Sequence, residues 1–248
     1  MAVPSSSTPV LSLRGATKRF GGLVAVNNLD FDVMEHQVMG LIGPNGSGKS
    51  TTLNLISGAL RPSAGSILLR GAPITHLRAH AIARRGVART FQLVRVLPSM
   101  TVLENIRAGA VFGHRRRWGH EADAFATQMA EKVGLAGKLA MRVSQLTYID
   151  TKRVELARAL ASEPRVLLLD EWLAGLNPTE LGEGIALVRR LRDEGRTILL
   201  VEHVMDAIRS LCDACVVMAA GAKIAEGTPD EVLSDPEVIR AYLGEEDA

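Results

Sequence analysis

The stretch Gly43-Pro44-Asn45-Gly46-Ser47-Gly48-Lys49-Ser50-Thr51 constrains this chain more than any other. It fits G-x-x-x-x-G-K-[ST], follows an apolar run, Val38–Ile42, that reads as a strand, and opens a helix read over Lys49–Ala59. That is the context in which the pattern forms a phosphate-binding loop. Its glycines let backbone N–H groups turn inward and approach phosphate oxygens with no Cβ in the way. The helix points its positive end at the same place. Lys49 is expected to neutralise β/γ oxygens, and the Ser50 hydroxyl to ligate magnesium.

Such a loop needs a carboxylate to position the metal. Val166-Leu167-Leu168-Leu169-Asp170-Glu171 supplies one at the end of a continuous apolar run, which suits a strand buried on both faces. Open α/β sheets place ligand chemistry at such strand ends. Asp170 is expected to reach magnesium through water, and Glu171 to take a proton from an attacking water or hold it in line. Two solvated carboxylates at a strand end would be the bland alternative; the phosphate loop argues against it.

The chain has 248 residues and a formal charge of +2, with 47% hydrophobic and 23% charged residues. It is long enough for one large domain or two small lobes. The near-neutral balance argues against a dedicated nucleic-acid binder, and the composition against extensive disorder. The start, MAVPSSSTPV, reads as a mobile tail rather than a signal peptide. No apolar stretch reaches the roughly 20 residues of a membrane helix, so any membrane role is expected to run through a partner. Cys212 and Cys215 form one C-x-x-C without a second pair for zinc. Because the pair runs into apolar CVVMAA, buried structural thiols are expected rather than a redox motif.

Strands are also read at Val10–Leu13, Leu29–Val33, Ser66–Arg70, Val87–Gln92 (extended) and Thr197–Val201, with a hairpin of Cys215–Met218 and Lys223–Glu226. Helix-period stretches fall at Leu77–Arg85, Val102–Val111, Ala122–Val133, Thr151–Ala161, Glu180–Glu194 and Val204–Leu211. A capped helical tail is read over Thr228–Leu243. The layout is a split α/β core holding a helical insertion.

With these pieces in this order, the chain resembles the ATP-binding subunits of ABC transporters over essentially its whole length. The resemblance implies a P-loop NTPase (RecA-like) α/β core with an antiparallel β subdomain and an inserted α-helical subdomain. The expected division is a tail at 1–9 and a single domain at 10–248, with core at 10–92 and 161–227, helical subdomain at 93–160 and C-terminal tail at 228–248. It implies that Phe20 stacks on adenine and that Gln92, in Arg89-Thr90-Phe91-Gln92, approaches magnesium and water. His203 is implied to contact the γ-phosphate, and Thr147 to complete the site of a second subunit. ATP and Mg2+ are the implied cofactors, and ATP hydrolysis the implied activity.

The signature stretch from Leu146 to Leu160 departs from the family's Leu-Ser-Gly-Gly-Gln in its first half. Ile149 stands where glycine is expected and Asp150 where glutamine is. A β-branched side chain would crowd a phosphate and a carboxylate would repel it. Trp172 replaces the usual proline, and Asn177 the usual aspartate. Two readings stay open: a branch-specific variant that still works, or a site that binds ATP and gates by binding with little hydrolysis. Retention of Lys49, Asp170, Glu171 and His203 favours the first.

Lys18–Val26, Ala88–Gln92, Ala174–Pro178 and Val238–Gly244 resemble the importers of branched-chain amino acids; urea, amide and lipopolysaccharide branches share much of the ending. The implied partners are a second ATP-binding subunit (identical or related), integral membrane permease subunits and, indirectly, a periplasmic substrate-binding protein, with no nucleic acid. The implied place is the cytoplasmic face of the inner membrane. Repair or translation members of the family carry two nucleotide domains or long inserts, for which 248 residues leave no room. Arg115-Arg116-Arg117-Trp118, with His114 and His120, is the one basic cluster, read as a solvated loop in preference to a contact with anionic headgroups.

Overall fold

A computed structural model describes residues 9–243, with the side chain of Leu243 outside the description. Nearly all of the expected tail at 1–9 and the acidic ending 244–248 lie outside the described residues.

The first sheet is antiparallel, ordered β2-β1-β4-β5 from β1 (Leu11–Phe20), β2 (Leu23–Val33), β4 (Ala64–Leu69) and β5 (Ala72–Pro73). The second runs β10-β9-β3-β8-β7-β6, from β3 (Val38–Ile42), β6 (Val87–Arg89), β7 (Val166–Asp170), β8 (Ile198–Val201), β9 (Ala214–Ala219) and β10 (Ala222–Gly227). All neighbours in it pair parallel except β9 and β10, whose hairpin closes one edge.

Period-two alternation in the buried strands splits the core into two. Met39, Leu41, Val166, Leu168, Leu199 and Val201 face the antiparallel sheet and α1 (Lys49–Ile56). Val38, Ile42, Leu167, Leu169, Ile198 and Leu200 face the helices α5 (Tyr148–Ala161), α6 (Pro178–Asp193) and α7 (Met205–Leu211). Helices α3 (Val102–Phe112) and α4 (Gly119–Lys132) pack with α5 beyond that layer. Gly40 sits on the helix-facing side, where a Cβ would stand 2.8 Å from Sγ of Cys215 and 3.1 Å from Sγ of Cys212. Both thiols are buried and free, and the hydrogen bond between them together with burial pushes the Cys212 thiol up. They fill space, as expected of structural cysteines.

Capping chemistry sets several boundaries. Thr101 with Glu104 and Asn177 with Glu180 form capping boxes at the starts of α3 and α6, the latter with Pro178 in the first turn. Thr228 with Glu231 does the same for α8 (Pro229–Leu233).

Several expectations need correction. The first two strands are far longer than Val10–Leu13 and Leu29–Val33, because register shifts and exposed polar positions hide their alternation. The helix after the phosphate loop stops at Ile56, followed by Gly58 at φ +73°. The extended run from Val87 ends at Arg89, which leaves Gln92 in a loop. The capped helical tail expected over Thr228–Leu243 is built of two helices, α8 and α9 (Pro236–Leu243), since Pro236 cannot continue a helix from Leu233. Helix α5 begins at Tyr148, not Thr151, because Thr147 is its cap.

Candidate active site

The phosphate loop joins β3 to α1. Gly43 (φ +143°) passes so close to β9 that a Cβ would lie 2.0 Å from the Met218 carbonyl oxygen; at Gly48 (φ +104°) it would lie 2.5 Å from that of Ala25. These two positions require glycine on both conformational and steric grounds. Lys49 is only 5% exposed and donates from Nζ to the carbonyls of Gly43 and Pro44, each at 2.7 Å. Residues 45–51, with Ala25 and Glu171, line a cavity of about 160 Å³. Asn45, Gly46, Ser47, Ser50 and Thr51 therefore all face this space with Lys49.

The carboxyl end of β7 brings two acids to its edge. Oδ2 of Asp170 accepts from Nη2 of Arg89 at 2.6 Å, while its Oδ1 is buried without a hydrogen-bond partner. An orphaned buried carboxylate oxygen, one residue before the Glu171 that lines the cavity with Ser50, suits a hard divalent cation, so the donor chemistry fits Mg2+. The chain then leaves the strand at Glu171 (φ +48°). Oε2 of Glu171 accepts from Nε2 of Gln92 at 2.6 Å, and its Oε1 lies 2.9 Å from Nε2 of His203. A carboxylate only accepts, so that imidazole nitrogen carries the proton. Three residues from separate loops thus meet at the mouth of the cavity.

Beneath them lie groups the sequence reading did not single out. Glu155, on α5, accepts from the backbone N–H of Phe91 (3.1 Å) and Arg95 (2.7 Å), framing the loop of Gln92. Glu202 accepts from the N–H of Leu173 at 2.7 Å and from that of His203. Lys152 donates to the carbonyls of Trp172 (2.8 Å) and Ala174 (2.6 Å), and the Trp172 indole donates back to the Lys152 carbonyl at 3.3 Å. Burial raises Glu155, pushes Glu202 up to about 7 and lowers Lys152. One signal was available: Lys152 shares a helical stripe with Ile149 and Leu156, where a charge needs a buried partner.

The unusual signature residues Ile149 and Asp150 are buried within this chain. Thr147 Oγ1 accepts from the Asp150 N–H at 3.4 Å as the cap of α5, and its side chain is exposed. Ile149 is buried on α5. Asp150 is buried too, paired with Lys138 and, at 3.6 Å, with Arg153. Asn177 caps α6 by accepting from the Glu180 N–H at 3.0 Å, a task asparagine and aspartate perform equally. Of the residues named from sequence, Phe20, Gly43, Pro44, Gln92, Thr147, Asp170 and His203 are not among those lining the cavity; Gln92 and His203 reach it only through their bonds to Glu171. Thr147 stands at the outer end of α5, and Phe20 at the tip of the β1–β2 hairpin, its ring 5.0 Å from Nζ of Lys18.

Residues 26–174 match the family described as ABC transporter, and residues 222–248 the one described as branched-chain amino acid ATP-binding cassette transporter. The high-affinity branched-chain amino acid transport ATP-binding protein BraF of Pseudomonas aeruginosa is 42% identical, over 96% of this chain and 99% of that one. LivG of Escherichia coli K12, which has the same description, is 41% identical with the same coverage. Among solved structures, the ADP conformation of MJ1267, an ATP-binding cassette of an ABC transporter, superposes with a TM-score of 0.87 at 31% identity, covering 96% of this chain and 100% of that one.

Proposed function

This chain belongs to the ABC transporter family, and we propose that it is the ATP-binding and ATP-hydrolysing subunit of an importer for branched-chain amino acids. The observation that carries the catalytic part is Glu171 held between the Gln92 amide and the His203 imidazole at the mouth of the phosphate-loop cavity. The loop amides and Lys49 hold the phosphates, and Phe20 stacks on the base. Ser50, Asp170 and Gln92 would hold Mg2+, which would supply charge neutralisation on the transferring phosphoryl group. Glu171 accepts the proton of the attacking water, and His203 donates to the γ-phosphate from the nitrogen that now faces Glu171. The names of the most similar relatives and the match over 222–248 support the substrate class.

Two copies, or this chain with a related one, close around two ATP molecules, the exposed Thr147 of each completing the other's site. An apolar groove between α3, α5 and the loop of Gln92, lined by Phe91, Gly109, Phe112 and Ser162 among others, supports docking of a permease subunit there. Among the described residues no helix is long and apolar enough to cross a membrane. The chain works at the cytoplasmic face of the membrane, held there by that permease partner.

Glu171→Gln tests the reading. Single-turnover hydrolysis should fall roughly 100- to 10,000-fold while ATP still binds; an unchanged rate overturns the catalytic assignment. Co-expression with permease subunits of a branched-chain amino acid importer, followed by uptake of labelled leucine, tests the substrate.

A further inference from the structure

At the opposite edge of the parallel sheet, the start of β7 and β8 carries a second concentration of positive charge. Leu167 pairs with Ile198, and that register carried back two residues sets Arg165 beside Arg196. Like charges side by side on neighbouring strands repel, yet neither guanidinium has a carboxylate. Arg165 donates from Nε to Nε2 of His114 at 3.3 Å, and Arg196 makes no side-chain hydrogen bond or ion pair with the described residues. Nδ1 of His114 faces the Arg84 carbonyl at 2.8 Å, so His114 donates there and accepts from Arg165. Its imidazole thereby steers the Arg165 guanidinium without neutralising it.

Arg70 and Arg115 complete the wall. The six residues Arg70, His114, Arg115, Glu163, Arg165 and Arg196 line a cleft of about 320 Å³. Its one carboxylate, Glu163, is already taken by Arg117 from outside the cleft and lies 3.9 Å from Arg115. Of the four guanidiniums lining the cleft, Arg70 is paired with Glu35 and Arg115 stands by the engaged Glu163, which leaves Arg165 and Arg196 side by side as two charges with no carboxylate among the described residues. No apolar side chain lines the space, so what it recognises is an anionic group alone. Guanidinium forks match phosphate oxygens two at a time, and several together suit a group with more than one negative charge. The five residue steps from Arg165 to Asp170 put this cleft about 17 Å from Asp170.

We infer that the Arg165–Arg196 cleft is a second phosphate-binding site, separate from the nucleotide site, that takes a phosphate or diphosphate group. The group comes either from a soluble phosphorylated metabolite or from a phospholipid headgroup; the chemistry is shared, and the test separates the sources.

Full-length protein is first saturated with Mg-ADP to fill the phosphate loop. One arm titrates it calorimetrically with pyrophosphate at low salt; the other measures co-sedimentation with vesicles of phosphatidylcholine with or without phosphatidylglycerol. Saturable binding in either arm, weakened at least tenfold in Arg165→Gln/Arg196→Gln, supports the site and names its source. Arg196→Gln alone removes no internal contact, so it keeps the wild-type melting temperature and should still weaken binding several-fold. Binding in neither arm, or equal binding by the double variant, overturns the inference.

Discussion

Arg89 donates from Nη2 to Oδ2 of Asp170 at 2.6 Å, with both side chains almost wholly buried. The same guanidinium reaches Oδ1 of Asn54 on α1 at 2.7 Å and lies 4.9 Å from the Phe91 ring in the proposed docking groove. One cation therefore ties Asp170, the proposed metal carboxylate, to the phosphate-loop helix and to the groove. Removing it leaves a buried carboxylate unpaired, a loss of about 3–5 kcal/mol. Arg89→Ala should lower urea-unfolding stability by that amount. Arg89→Ala/Asp170→Asn should lose much less than the two single variants summed, the signature of direct coupling. Arg89→Lys keeps the charge but not the fork, so it should fall between wild type and Arg89→Ala.

The buried side chain of Ile149 and the paired carboxylate of Asp150 predict that restoring the usual signature residue does not speed the chain. Ile149→Gly gives up a buried side chain and places glycine in the first turn of α5. We expect a stability loss of about 2–5 kcal/mol and no gain in ATPase rate. A many-fold faster enzyme would mean that Ile149 obstructs the phosphate after all.

Lys152 holds the loop that follows Glu171 by two carbonyls, so its loss should act on the chemical step more than on binding. Lys152→Met preserves the stem and removes the donors. The expected result is a kcat reduced at least tenfold with ATP affinity within threefold, measured by steady-state hydrolysis beside nucleotide titration. An equal loss in both would assign Lys152 to general folding.

Glu202 predicts a pH effect of definite sign. Burial raises it from an ordinary 4.5 to about 7, so between those values the folded chain keeps a proton that the unfolded chain has released. Stability must then fall as pH rises from about 4.5 to about 7, and this contribution is flat above. Glu155, raised by the same cause, adds in the same direction. Glu202→Gln should remove its part of the slope, read as the difference in melting temperature between variant and wild type across that window. A parallel pair of curves would refute the shift.

What could be read from the sequence was what is local in it. The phosphate loop, the β7 strand with its two acids and the Ala220-Gly221 hairpin are each specified within about a dozen residues. The first hairpin was half hidden because register shifts near Ala16 and exposed polar positions break its alternation. Asn177 reads in the sequence as a departure from aspartate, though its spacing to Glu180 is also that of a capping box. Arg89, Glu155 and Glu202 escaped for a different reason. Their partners are distant along the chain, Asp170 being 81 residues from Arg89 and Phe91 64 from Glu155. No periodicity announces a pairing of that kind; only closure of the sheet and the seating of α5 bring the partners together.

The two tryptophans differ sharply in setting. Trp118 is 62% exposed at the start of α4, whereas Trp172 is 1% exposed and follows Glu171 directly. The chain thus carries an optical reporter next to Glu171, the proposed hydrolytic carboxylate. Trp172 should emit at short wavelength and resist iodide quenching, and Trp118 the reverse, so a Trp118→Phe variant would give a fluorescence signal from the Glu171 loop alone. Movements of that loop during turnover could then be followed in real time without attaching a dye.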